Sequence, residues 1–342
     1  MTTKDEVRAL WKLCFDDSEE FMDLYFGKRY KDDVNMAIRR DGKIISALQM
    51  IPYPMSFCGG VIPTTYISGA CTHPDYREHG AMRQLLRETH RCMYRDGVLL
   101  STLIPAEEWL FGYYAKSGYV PAFGYTLKRM EADELRISSS AGYQVEVCAS
   151  PGREHYRYFD ACMRGRNCCI LHSEEDFEVI WQDLKLGGGS LLVAKEGEKI
   201  AGMAFAVKGE DTLYIKELLA DNDVAEEGLL REAAYIYKVG KVECVMPASA
   251  ANPSYLGMAR VIHAEEMLKL FAAKHPELEL NIHLEGDDVI PENNGYYTVK
   301  DGVCLHRQLP EEEGKEYAAY TVASFTRLLV EAEHPYMSLM LN

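Results

Sequence analysis

From His73 to Leu86 the chain reads HPDYREHGAMRQLL, a proline, basic side chains and Gly80 placed directly before a helix-like pattern. From Ala81 onward Met82, Leu85, Leu86, Cys92 and Met93 recur three and four apart, which predicts one buried helix face. Just upstream, TTYISGACT (64–72) is β-branched, aromatic and uncharged, and lies between Pro63 and Pro74, which suits a buried strand. Strand, tight loop and helix start together expose free backbone N–H groups at the positive end of a helix dipole, and a glycine lets an anion approach the main chain. The chemistry on offer is capture of a phosphate or pyrophosphate; a plain turn before a helix would read the same way. Neither GK[ST] nor GxGxxG is present, so the ATP-type and dinucleotide fingerprints are excluded.

The surrounding elements have to position that loop. GVLLSTLIP (97–105) reads as a second buried strand, and AEEWLFGYYAKSGYVPAFGYTLKRM as a short helix that breaks at Gly118 into a third. VNMAIRRDGKIISALQMIPYPMSFCGG reads as an antiparallel hairpin turning at Asp41-Gly42. KDEVRALWKLCF and SEEFMDLYFGKRY read as two short N-terminal helices. The expected class is α/β (α+β), a mixed sheet with helices on both faces.

The 342 residues suffice for two or three domains. No run of about 18 apolar residues occurs and the N-terminus is charged, so a soluble, cytoplasmic protein with no membrane partner is expected. Ten scattered cysteines without CxxC or zinc-type Cys/His spacing suggest buried reduced thiols and no metal. The net charge of −16 is uneven: residues 1–130 hold 17 Lys+Arg against 16 Asp+Glu, and residues 131–342 hold 20 against 37. That balance disfavours a nucleic-acid partner and favours a cationic small molecule or peptide, although it would also serve solubility.

Residues 1–130 resemble a GCN5-related N-acetyltransferase (GNAT) domain. That family wraps the pyrophosphate of acetyl-CoA in an R/Q-x-x-G-x-G/A loop; here Arg77 and Gly80 match and Met82 replaces the small third residue. The family's Y-x-K-x-G-F/Y stretch is matched throughout by Tyr114-Ala115-Lys116-Ser117-Gly118-Tyr119. The resemblance implies that Ala70, Cys71 and Thr72 meet the pantetheine arm and acetyl group. It likewise implies that the amides of Arg77, Glu78, His79, Gly80, Ala81 and Met82 meet the pyrophosphate. The Arg77 side chain reads equally as a phosphate contact and as a solvated cation.

Residues 131–252 repeat the hairpin, strand and helix pattern without the glycine loop, which suggests a second, degenerate GNAT-like domain that binds no cofactor. Residues 253–342 carry strands punctuated by Asn-Gly and Asp-Gly turns and then a helix, and resemble a sterol-carrier-protein-like α+β domain. The order resembles the enhanced-intracellular-survival (Eis-like) tandem acetyltransferases, which acetylate amines of polycationic acceptors such as aminoglycosides and, in some members, lysines. The implied activity is acetyl-CoA-dependent N-acetyl transfer to a cationic amine: an aminoglycoside-like molecule, a polyamine, or a lysine or peptide amine. The competing reading is a non-catalytic lipid or ligand carrier using the C-terminal domain.

By the resemblance Tyr114 is the general acid for the leaving thiolate, against the alternative of a tyrosine packed at a helix end. Glu107, Glu108 and Trp109 are acceptor-binding candidates, although acids in a first helical turn also serve the dipole. In the Eis-like family the terminal carboxylate is the base, which implies that role for the α-carboxylate of Asn342. The apolar tail Met337–Leu341 would partly bury it and raise its pKa, or would simply close a core. A homo-oligomer is compatible with all of this.

Overall fold

The computed structural model describes residues 2–137, 143–248, 253–311 and 314–341. The chain begins with α1 (Thr3–Cys14) and α2 (Glu19–Lys28), followed by β1 (Asn35–Arg40), β2 (Lys43–Phe57), β3 (Gly60–Thr72), α3 (Ala81–Arg95), β4 (Leu100–Leu103), α4 (Glu108–Ala115) and β5 (Val120–Glu131). After α5 (Ala132–Ile137) a similar order recurs with β6 (Gln144–Val147), α6 (Arg153–Gly165), α7 (Glu174–Leu186), β7 (Ser190–Glu196), β8 (Lys199–Lys208), β9 (Thr212–Ala220), α8 (Asp223–Tyr237), β10 (Lys241–Pro247) and β11 (Ser254–Val261). A smaller unit follows: α9 (Ala264–Lys274), β12 (Leu280–Leu284), β13 (Gly295–Lys300), β14 (Val303–Arg307), β15 (Ala318–Tyr320) and α10 (Val322–Glu331).

Local chemistry explains the boundaries. Thr2 and Ser18 cap α1 and α2 by accepting from the amides of Asp5 and Phe21. Asp41-Gly42 and Cys58-Gly59 all have positive φ, the requirement of tight two-residue hairpin turns, and they join β1, β2 and β3. β3 starts earlier than the sequence suggests and runs through Pro63, which faces Pro54 of β2. Their carbonyls remain satisfied from outside the pair, Pro63 by Leu99 N and Pro54 by Leu171 N. β2 is buried on both faces: Ala47, Ile51, Tyr53 and Met55 join the core under α1 and α2, and Leu48 and Met50 the core under α3.

Among the described residues, eleven strands form one sheet in the order β1-β2-β3-β4-β11-β5-β10-β9-β8-β7-β6. The two halves exchange their last strands. β11 lies antiparallel between β4 and β5, and β5 in turn pairs antiparallel with β10. Residues 254–261, read from the sequence as the start of the third unit, therefore complete the first sheet. A helix-sheet pattern reports which face of a strand is apolar but not which strand lies beside it, so the exchange carries no local signature. The remaining strands form a separate sheet, β14-β13-β12-β15, whose apolar residues run into the same core as α1 and α2.

Candidate active site

β3 and β4 run parallel and pair only from Thr64↔Leu100 to Ile67↔Leu103. Beyond that point they part, and the cause is a bulge at Gly69. Ala47 of β2 faces Cys71 while Gln49 faces Ser68, so Gly69 and Ala70 together oppose a single residue. Gly69 has φ +59°, and a Cβ there would lie 2.0 Å from the Trp11 ring. No other residue type satisfies both demands. The bend carries Ala70, Cys71 and Thr72 away from β4 and opens a wedge between the two strand ends.

The loop after β3 delivers the helix start to that wedge. His73 Nδ1 accepts from the Asp75 amide at 3.3 Å, and Arg77 N closes a turn on Pro74 O at 3.2 Å. Glu78 (φ +65°) and Gly80 (φ +81°) are both left-handed. Gly80 caps α3 without any side-chain hydrogen bond, and no acid stands in the first turn. The first amides of α3, from Ala81 to Arg83, have no acceptor within the helix, and space beside Gly80 is open. Met82, where a small residue is usual, is half-buried and packs into the α3 core rather than over the loop. The Arg77 side chain turns back, its Nε donating to Thr72 O at 3.1 Å.

α4 ends in the tyrosine motif. Tyr119 is sealed in the core, its hydroxyl 2.7 Å from Ser101 Oγ and 3.0 Å from His90 Nε2. Gly118 has φ +84°, and a Cβ there would approach Val322 Cγ1 to 2.7 Å. These contacts fix the end of α4, so the position of Tyr114 is set by packing. Tyr114 is buried against Tyr113 and Tyr119, and its hydroxyl has no hydrogen-bond partner among the described residues. Burial, with smaller contributions from Tyr113 and Cys71, pushes its pKa up to about 12.

A thiol pair borders the same strand end. Cys14, at the end of α1, donates to Thr72 O at 3.4 Å, a contact that favours the thiol. The Cys71 S–H, and after it the Arg77 guanidinium, face its sulfur and favour the thiolate by more than burial disfavours it: the Cys14 pKa falls to about 6 while that of Cys71 rises.

A cavity of about 820 Å³ adjoins this region, reached from Ile104 just past β4. Its lining is mostly apolar, from Phe21 of α2 and Leu256 of β11 to Ile215 of β9, and its ionised side chains are Asp183, Glu243 and Lys216. Burial raises the pKa of Asp183, against the opposing charge of Lys216. The tail from Met337 to Leu341 forms one wall. Fully buried Glu217 holds that tail, accepting from the Tyr336 hydroxyl at 2.9 Å and the Ser338 hydroxyl at 2.5 Å, and from Arg166 at 3.0 and 3.2 Å. His172 Nε2 adds a contact to Ser338 O at 3.1 Å.

A family model described as an acetyltransferase (GNAT) domain matches residues 2–122. Those residues are a GNAT acetyltransferase domain. Across the whole chain the fold is similar to that of three solved proteins. One is a probable N-acyltransferase from Enterococcus faecalis (15% identity, TM-score 0.77, 96% of this chain and 87% of that one). Another is a GCN5-related N-acetyltransferase from Anabaena variabilis (18%, 0.77, 96% and 87%). The third is Eis1 from Mycobacterium abscessus (12%, 0.72, 96% and 88%). No curated protein matches the sequence.

Within the GNAT domain, Ala70, Cys71 and Thr72 line one side of the wedge, the loop from Arg77 to Met82 follows directly, and Tyr114 packs in the core that also holds Ala70 and Met82. Glu107, Glu108 and Trp109 are exposed at the start of α4 and are not among the residues lining the cavity. Asn342 lies outside the described residues. The sequence reading missed Asp183, Glu243 and the Glu217 clamp, whose acids sit among ordinary helical and strand patterns and converge only when α7, β9 and β10 pack together. The second half offers an instructive contrast at its own strand-to-helix junction. The Asn222 side chain accepts from the Ala225 amide and Asp223 and Glu226 stand in the first turn, so the start of α8 is capped and acidic where α3 is open.

Proposed function

We propose that the chain transfers an acetyl group from acetyl-CoA to an amine. The observation that carries this reading is the uncapped start of α3, with left-handed Glu78 and Gly80, beside the wedge opened by the Gly69 bulge. On this reading the loop amides take the pyrophosphate and the pantetheine arm follows Ala70 to Thr72 into the wedge. The acceptor amine attacks the thioester carbonyl, the C–S bond breaks, and the thiolate leaves beside Tyr114.

The acceptor belongs in the cavity. Asp183, and Glu243 in exchange for its pair with Arg129, can meet an ammonium group, and the apolar walls suit a hydrocarbon body better than a polycation. An amine on an aliphatic or aromatic body, such as a lysine or peptide amine flanked by apolar groups, fits that lining better than an aminoglycoside. Calorimetry with acetyl-CoA, followed by CoA release across an amine panel, tests the reading. Micromolar binding and turnover that favours amphipathic amines support it. Absence of acetyl-CoA binding up to millimolar concentration overturns it, and a clear preference for aminoglycosides overturns the acceptor class alone.

A further inference from the structure

At the far end of β3 from the wedge, three segments remote in sequence bring together a thiol, an imidazole and a carboxylate. Cys58 occupies the β2–β3 turn at φ +49°, His275 caps the C-terminus of α9, and Glu333 follows α10. One ligand atom from each lies within 4.8 Å of the other two. The Glu333 side chain is only 4% exposed; one carboxylate oxygen lies 2.6 Å from His275 Nε2 and the other accepts from Asn167 Nδ2. We propose that Cys58, His275 and Glu333 form a zinc site that staples the N-terminal hairpin to the C-terminal unit.

The donor chemistry supports a borderline cation. Thiolate, imidazole and carboxylate are the ligands zinc accepts in four-coordinate sites, and three protein donors leave one position for water. Half-buried Cys58 and partly exposed His275 leave that position reachable from solvent. The geometry needs little adjustment. The three ligand atoms lie within 4.8 Å of one another, so a common centre no more than about 2.8 Å from each exists, and ligand bonds of roughly 2.0–2.3 Å require shifts of about half an ångström. The close Nε2–carboxylate contact would widen as the metal comes between the two atoms. Asn167 then acts as the outer contact that orients the carboxylate.

On binding, zinc displaces the Cys58 thiol proton, which leaves to solvent as the sulfur–metal bond forms, and the cation neutralises thiolate and carboxylate together. The site also has a structural consequence. Glu333 immediately precedes left-handed His334 and the segment whose Tyr336 pairs with Cys168, so a metal there fixes where the cavity-lining tail begins.

The test uses the full chain stripped with a chelator and titrated with Co²⁺. A thiolate-to-cobalt absorption that saturates at one equivalent and is bleached by Zn²⁺ is expected. Cys58→Ser should abolish that band, His275→Ala should weaken binding at least tenfold, and Cys14→Ser should leave both unchanged. Zn²⁺ should also shield Cys58 of the unaltered protein from alkylation, read by peptide mass spectrometry, which keeps the test valid if Cys58→Ser folds poorly. No saturable binding, a band that persists in Cys58→Ser, or alkylation of Cys58 indifferent to Zn²⁺ would overturn the proposal.

Discussion

Replacing Tyr114 by phenylalanine tests how the leaving thiolate is handled. A simple thiol has a pKa of about 8.5, and burial holds the Tyr114 phenol at about 12. Complete proton transfer from phenol to thiolate is uphill by roughly 3.5 pH units, or about 5 kcal/mol at 1.36 kcal/mol per unit. On the proposed function, a hydroxyl so placed would stabilise the departing sulfur by donating a hydrogen bond while keeping its proton, a narrower role than the general acid implied by the resemblance. Hydrogen bonds to charged groups contribute about 1.5–3 kcal/mol, so Tyr114→Phe should lower kcat by roughly 10- to 150-fold. Full general-acid catalysis would instead be worth about 10²–10⁴. The hydroxyl has no partner among the described residues, so its removal strands no buried group, and the melting temperature and acetyl-CoA Kd should barely change. Steady-state CoA release measures kcat, with Tyr113→Phe as the control. The neutral phenol persists to high pH, so no alkaline loss of kcat from Tyr114 should appear below about pH 11. Wild-type turnover in Tyr114→Phe, or an alkaline limb near pH 9 that vanishes in this variant, would refute the reasoning.

Other outcomes follow from the same geometry. Gly80→Val meets no neighbouring atom but must hold φ +81°, a strain of about 1–3 kcal/mol; the acetyl-CoA Kd should rise roughly 5- to 150-fold by calorimetry while the fold survives, and an unchanged Kd would remove the loop from the cofactor site. Alkylation of Cys14, followed by mass spectrometry, should have its half-maximal rate near pH 6 and be slowed by acetyl-CoA; a midpoint near 8.5 would show that Cys71 and Arg77 do not favour its thiolate. Glu217→Ala strands half-buried Arg166 and buried Tyr336 and Ser338, so about 3–5 kcal/mol of stability should be lost in denaturant titrations and the acceptor KM should rise as the tail loosens; a loss under 1 kcal/mol contradicts the clamp. Fully buried His172 has its pKa lowered to about 4 by desolvation, so the unfolded chain takes its proton first; its stability contribution is present above pH 6.5 and declines as pH falls toward 4, a slope that His172→Gln should flatten between pH 7 and 5.5.

The elements most legible in the sequence are those whose signal is local. Asp41-Gly42 marks its turn because both residues must take positive φ, and α3 declares itself by one apolar face that Leu85, Leu86 and Met93 bury. Gly80 and the Tyr114–Tyr119 motif are local too, each set by backbone conformation or by packing at a helix end. The cavity is not. Asp183, Glu243 and Leu256 come from α7, β10 and β11, and they share a wall only because β11 crosses into the first sheet. Gly69 lies between these cases: its type hints at a bulge, but the reason it cannot be replaced is Trp11, 58 residues earlier in the chain. The Cys58 cluster is equally invisible, since its ligands come from three separate segments with no regular spacing.

The placement of charge gives the exchange of strands a chemical sense. A pyrophosphate approaching a chain of net charge −16 needs a surface that is not itself negative, and residues 1–130, nearly balanced at 17 cations to 16 acids, supply one. There the start of α3 keeps its amides free and has Arg83 in its first turn. The start of α8, at the matching place in the second half, has given one of those amides, that of Ala225, to the Asn222 side chain and added Asp223 and Glu226. What the second half retains is a wall: β9 and β10 present Ile215, Val245 and Glu243 to the cavity, and Glu217 pins the tail across it. On the proposed function, an anionic donor and a cationic acceptor are thereby steered to different halves of one continuous sheet. On the same reading they meet at β4 and β11, where the halves interlock, and the second half contributes the acceptor's wall to the transfer.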